Sequence, residues 1–208
     1  MDEQFKQLHA GRMQEKKAQV LAAVQRAQTE RGIVVLLTGH GKGKTTSAFG
    51  MLYRALGHGL RAGVVQFIKG THATGEVTFL HHLGLLGQGP ASQVQYHAMA
   101  TGCTWQRSDW DADKPAADIA WQAAQRMLCD DSLRLVVLDE LTFMLQYGYL
   151  QMEHVLQAIR NRPQGQTVVI TGRSAHAQLI ALADTVSDIA ETKHAFKAGV
   201  KAQAGVDF

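Results

Sequence analysis

The chain has 208 residues, 46% hydrophobic and 19% charged, with a formal net charge of +3 at pH 7. That composition describes one globular domain with a sizeable core. The charge is too small to argue for a nucleic-acid partner. No apolar run reaches the roughly 20 residues that span a bilayer, and the start MDEQFKQLHAGRMQEKK lacks a signal-peptide core, so a cytoplasmic protein with no membrane partner is expected.

In chain order, residues 3–30 are rich in Gln, Lys, Ala and Glu and favour helix. Their sparse apolar positions (Phe5, Leu8, Met13, Val20, Leu21, Val24) suggest an N-terminal helical arm, residues 1–30, ahead of a domain over 31–208. GIVVLLTG (32–39) is an apolar, β-branched run and reads as a buried parallel strand; TTSAFGMLYRALGHG (45–59) reads as a helix stopped by Gly57 and Gly59. A strand over 61–70, a helix over 75–86, a flexible loop GLLGQGPASQ and a short strand VQYHAM follow. Residues 113–129 suit an amphipathic helix, RLVVLDE (134–140) a buried strand, and EHVLQAIRNRP (153–163) a helix stopped before Pro163. QTVVITGR (166–173), AHAQLIALA (175–183) and DTVSDIAET (184–192) complete the series as strand, helix and strand. The alternation predicts an α/β fold, a mostly parallel sheet with helices on both faces, and the glycine loop between its first strand and helix makes it one of the P-loop nucleotide-binding kind. Ligands of such sheets bind beyond the carboxyl ends of the strands, where TGHGKGKTT, DELT and TGRSAH all fall.

TGHGKGKTT (38–46) looks like a phosphate-binding loop with one irregularity. Anchored on Gly43-Lys44-Thr45, the usual G-x-x-x-x-G-K-[ST] pattern puts Thr38 at the first glycine, and starting from Gly39 leaves the loop one residue short. Alternating glycines let backbone N–H groups converge on an anion at a helix start; Lys44 reaches phosphate oxygens and Thr45 suits Mg²⁺. Lys44 is expected to face ligand and to make no core contact. Ninety-five residues after Lys44, Asp139 and Glu140 end an apolar strand, as a magnesium-binding partner strand does. A nucleoside triphosphate with Mg²⁺ (or Mn²⁺) is therefore expected. Cys103 and Cys129 read as free thiols, and the histidines are scattered apart from His81-His82, without metal-site spacing. From these residues alone, a P-loop ATPase or kinase with Glu140 activating water or a hydroxyl, a non-catalytic nucleotide-binding module and another triphosphate-using enzyme all remain open.

Longer stretches narrow the choice. RGIVVLLTGHGKGKTTSAFG (31–50), RALGHG (54–59), GVVQFIKGT (63–71), MATGCTW (99–105), VVLDELT (136–142), TVVITGR (167–173) and KHAFKAGVKAQAGVDF (193–208) closely resemble the bacterial ATP:corrinoid adenosyltransferases. The resemblance implies transfer of the 5′-deoxyadenosyl group of ATP to the cobalt(I) of a corrinoid, with release of the whole triphosphate. It implies a nucleotide held reversed in the short loop, so that C5′ faces the corrinoid. By position it assigns Gly39, His40, Gly41, Lys42, Gly43, Lys44, Thr45, Thr46, Arg54 and Arg173 to ATP, and Thr45, Asp139 and Glu140 to the metal. It makes Lys44, Glu140, Trp105 and Cys103 the expected catalytic set, with Trp105 and Cys103 facing the corrinoid. It further implies a homodimer, a transient flavoprotein reductant, and an N-terminal segment over the corrinoid site. The sequence departs from the family pattern in three places: His40 stands for the usual Asn, Cys103 for the usual Phe, and the 84–93 segment is longer.

Overall fold

The structure of the protein, a computed structural model, describes residues 3–68, 74–87, 92–99 and 110–208. The chain divides into two compact units, residues 1–31 and 32–208. The first contains one helix, α1 (Glu3–Arg26). A single helix has no core of its own.

In the second unit the elements run β1 (Val34–Thr38), α2 (Lys44–Gly57), β2 (Arg61–Gln66), α3 (Gly75–His82), β3 (Leu86–Gly87), β4 (Val94–Ala98), α4 (Trp110–Cys129), β5 (Leu133–Asp139), α5 (Leu141–Gln146), α6 (Met152–Arg160), β6 (Thr167–Thr171), α7 (Ala177–Leu182) and β7 (Thr185–Asp188). A 3₁₀ turn follows at Ala195–Ala198. The seven strands form one sheet in the order β3-β4-β2-β5-β6-β1-β7, and every pairing is parallel.

The central strands are apolar throughout because each feeds two cores. Val34 and Leu36 of β1, Val136 and Leu138 of β5, and Val168 and Ile170 of β6 pack with α4, α6 and α7 on one face. The alternate residues Val35, Leu37, Leu135, Val137 and Val169 pack against Ala48, Phe49 and Leu52 of α2 and Val77 and Leu80 of α3 on the other. Strands buried on both faces lose the apolar–polar alternation of a half-exposed sheet, which is why they read as continuous hydrophobic runs.

Several boundaries differ from those expected. The second strand ends at Gln66 rather than at residue 70, and the last is four residues long. The expected loop at 84–93 contains β3, which pairs with β4; residues 88–91 lie outside the described part. Helix α5 was not anticipated: six residues are too few to show a period, yet Leu141 and Met144 are fully buried in the core. Cys129 is a free, exposed thiol, while Cys103 and Trp105 fall outside the described residues.

Candidate active site

The carboxyl ends of β1, β2, β5 and β6 meet beneath a cavity of about 710 Å³, within the range of roughly 300–1,000 Å³ typical of small-ligand sites. The loop from His40 to Thr46 forms one wall, with Gln66, Asp139, Glu140 and Arg173 around it. Tyr53 and Phe79, packed edge to face with ring centroids 5.9 Å apart, form an aromatic side. The C-terminal residues Gly205 to Phe208, with His194 and Glu76, also line it.

The loop glycines are demanded by its neighbours. Gly39 has φ +95°, and a Cβ there would come 2.2 Å from Asp188 Oδ1; a Cβ on Gly41 would come 2.6 Å from the Ile189 and Ala190 carbonyls. The Gly41 N–H donates to the Ile189 carbonyl at 2.6 Å, pinning the loop to the chain leaving β7. Gly43, at φ +114°, caps α2 without a side-chain hydrogen bond, so the first-turn amides of that helix are not capped by a side chain. Lys44 folds back over the loop: its Nζ donates to the carbonyls of Gly39 (2.7 Å) and Gly41 (2.8 Å). Lys44 is only 6% exposed, held by its own loop rather than by the core, and it lines the cavity. Burial lowers its pKa, opposed by the nearby Glu140 carboxylate.

Asp139 and Glu140 are adjacent in sequence and unlike in surroundings. Asp139 is buried, and its Oδ1 accepts from the hydroxyls of Thr171 (2.6 Å) and Thr45 (2.9 Å), its Oδ2 from Gln66 Nε2 (3.0 Å). Burial still raises its pKa against the pull of these three donors. Glu140 sits at φ 59° in the left-handed region, its N–H donating to Thr171 Oγ1 at 2.9 Å. That conformation costs a non-glycine residue about 1 kcal/mol and aims the side chain at the cavity rim, which Glu140 lines. Burial, and then the neighbouring Asp139 charge, raise its pKa.

The donor set suits a divalent cation. The Thr45 hydroxyl proton is committed to Asp139, leaving oxygen lone pairs for a ligand, and Glu140 supplies a carboxylate. Among the described residues no group of three His, Cys, Asp or Glu could hold an ion, so phosphate and water oxygens would have to complete the shell, as they do for Mg²⁺ on nucleotides.

A family model described as ATP:corrinoid adenosyltransferase BtuR/CobO/CobP matches residues 30–208. This chain belongs to that family. It is 50% identical over 207 residues to the corrinoid adenosyltransferase of Escherichia coli K12, covering 100% of this chain and 99% of that protein. It is equally similar to the corrinoid adenosyltransferase CobA of Salmonella typhimurium LT2, and 48% identical over 202 residues to the Pseudomonas aeruginosa PAO1 enzyme, covering 97% and 96%.

Of the ATP and metal residues expected from the adenosyltransferase resemblance, His40, Gly41, Lys42, Gly43, Lys44, Thr45, Thr46, Asp139, Glu140 and Arg173 line one cavity. Gly39 supports it from behind through the carbonyl that holds Lys44. Arg54 stands outside this cavity. It is exposed in the last turn of α2 and is not among the lining residues. Ten residues of helix at 1.5 Å each carry it about 15 Å from Lys44. Gln66, Tyr53, Phe79 and the C-terminal residues line the cavity as well, though none was expected as a site residue; Gln66 and the C-terminal stretch entered only among the segments that carry the resemblance. Gln66 had a signal: a polar residue closing the apolar run Val64-Val65 at a strand's carboxyl end.

The described part of the chain contains no helix long and apolar enough to cross a membrane.

Proposed function

We propose that the protein transfers the 5′-deoxyadenosyl group of ATP to the cobalt(I) of a corrinoid and releases triphosphate. One observation carries this reading beyond the general phosphate-loop class: the shortened Gly39–Lys44 loop stands in a chain that belongs to the ATP:corrinoid adenosyltransferases along nearly its whole length. The cobalt nucleophile must meet C5′ in line with the departing O5′, so the enzyme's task is to orient the ribose and stabilise the leaving triphosphate.

In this reading the first-turn amides of α2, with Lys42, Lys44 and Arg173, bind the triphosphate and meet the charge growing on it. Lys44 exchanges the carbonyls of Gly39 and Gly41 for phosphate oxygens. Thr45 and Glu140 would hold Mg²⁺ (or Mn²⁺), which supplies further charge neutralisation on the leaving group. Asp139, with both oxygens already hydrogen-bonded, orients Thr45. His40 is placed to hydrogen-bond a ribose hydroxyl where the family has Asn. Trp105 and Cys103 face the corrinoid in this proposal, on the strength of the family resemblance alone. The same resemblance supports a cytoplasmic homodimer, an arm over residues 1–30 that covers the corrinoid, and a flavoprotein reductant.

The test is the product. With ATP, Mg²⁺ and chemically reduced corrinoid, intact triphosphate and an adenosylated corrinoid should form together. ADP and phosphate released without corrinoid would instead indicate an ATPase, and neither product a binding module.

A further inference from the structure

Gln66 is buried at the end of β2, and its amide is held from two sides. The Tyr96 hydroxyl donates to Oε1 at 2.7 Å, and Nε2 donates to Asp139 Oδ2 at 3.0 Å. The reversed amide would turn a carbonyl oxygen toward a carboxylate oxygen, so the tyrosine donor and the aspartate acceptor select the same orientation. Tyr96 is the right donor to do this, since burial pushes its pKa up to about 12 and keeps the proton on the phenol. The chain of bonds runs across neighbouring strands β4, β2 and β5, where Gln66 is in register with Asp139. From β6, Thr171 donates to the other oxygen of the same carboxylate. Asp139 is thereby locked in plane, and its Oδ1 accepts the hydrogen bond that the Thr45 hydroxyl donates.

We propose that Gln66 and Tyr96 are positioning residues for the metal–triphosphate half of the site. By fixing the Asp139 carboxylate they fix the direction of the Thr45 O–H, and with it the lone pair that Thr45 offers to the cation. The inference rests on the reading of Thr45 as a metal ligand. Polar side chains that merely fill a core would stabilise the sheet without distinguishing metal-bound from metal-free nucleotide. Positioning residues must distinguish them, because only the metal complex uses the Thr45 lone pair.

The experiment is calorimetric titration of ATP into the full-length protein, once with a chelator and once with saturating Mg²⁺, for the parent, Tyr96→Phe and Gln66→Met. With chelator, both variants should bind ATP within about twofold of the parent. The tightening that Mg²⁺ gives the parent should shrink by about three- to tenfold, at or below the lower end of what direct outer-shell partners of metal ligands contribute, because Gln66 and Tyr96 act on Thr45 through Asp139. Two results would overturn the inference: variants that keep the parent's full response to Mg²⁺, or variants that bind ATP more weakly by the same factor in both conditions. Should Gln66→Met fail to fold, Tyr96→Phe, which removes a single hydroxyl, decides alone. A parent whose ATP affinity ignores Mg²⁺ overturns the metal reading and the inference with it, and that failure is visible without any variant.

Discussion

Lys42 Nζ lies 2.8 Å from Asp207 Oδ1, so the second residue from the C-terminus holds a lysine of the phosphate loop. Asp207 is braced for this: its N–H donates to the Gln203 carbonyl at 2.8 Å, and its Oδ2 accepts from the Gln203 N–H at 2.9 Å. The Lys42 ammonium lowers its pKa, so it remains an anion. If Lys42 meets the triphosphate, as the proposed function has it, ATP would have to displace Asp207 from it. Asp207→Asn should lower the KM for ATP by about two- to threefold at low salt. The difference should vanish near 1 M salt, as expected of an exposed ion pair. A KM that rises instead would mean that Asp207 assists binding.

Lys44→Ala should reduce kcat/KM by about 10²–10³-fold, the scale of losing a charged donor to a developing anion. Of the two carbonyls that it leaves, Gly41 lines the cavity, where water can meet its oxygen, and both bonds are local to the loop, so the circular dichroism spectrum should be unchanged. Activity within twofold of the parent would remove Lys44 from the leaving-group site.

Glu140 combines left-handed backbone strain with a partly buried charge. Glu140→Asn, which tolerates that backbone, should raise stability by about 1 kcal/mol in urea unfolding. The same substitution should weaken the Mg²⁺ dependence of turnover, since it removes the free carboxylate. A loss of stability would show that the strain is already relieved by other contacts.

Burial raises the pKa of both Asp139 and Glu140 above the ordinary values of 3.8 and 4.5. The folded chain therefore holds these two protons more tightly than the unfolded chain. Their contribution to stability is present below the ordinary values and is lost as pH rises through the raised, folded ones. Asp130 and Asp207, whose pKa values are lowered by hydrogen-bonding partners, act in the opposite sense. In chelator, the double variant Asp139→Asn, Glu140→Gln should thus lose less stability than the parent between pH 4 and neutrality. Parallel curves for the two proteins would contradict the burial argument.

Cys103 stands where the family has phenylalanine, in the stretch that the resemblance places against the corrinoid. The resemblance implies that this position excludes the axial base of cobalt and so eases reduction from cobalt(II) to cobalt(I), a task that a smaller side chain would do less well. Cys103→Phe should therefore speed turnover of base-bearing cobalamin but not of cobinamide, and only when a flavin reductant supplies the electron. Equal changes for both corrinoids, or for chemically reduced ones, would count against this role.

The sequence by itself determined the phosphate loop, the alternation of strands and helices, and the acidic end of β5. These are local properties: glycines spaced for a tight turn, and runs of Val, Leu and Ile long enough to be buried on two faces. Tertiary structure alone decided how the two acids differ, because that depends on partners brought in by strand register. Gln66 reaches Asp139 across 73 residues of chain and Tyr96 reaches Gln66 across 30. The same holds for Arg54, whose distance from the loop follows from the uninterrupted run of α2, and for Asp207, which meets Lys42 only because the chain after β7 returns over the loop. A side chain's chemistry is written at its own position, but its hydrogen-bond partners are set by which strands lie side by side, and no local pattern in this chain records that order.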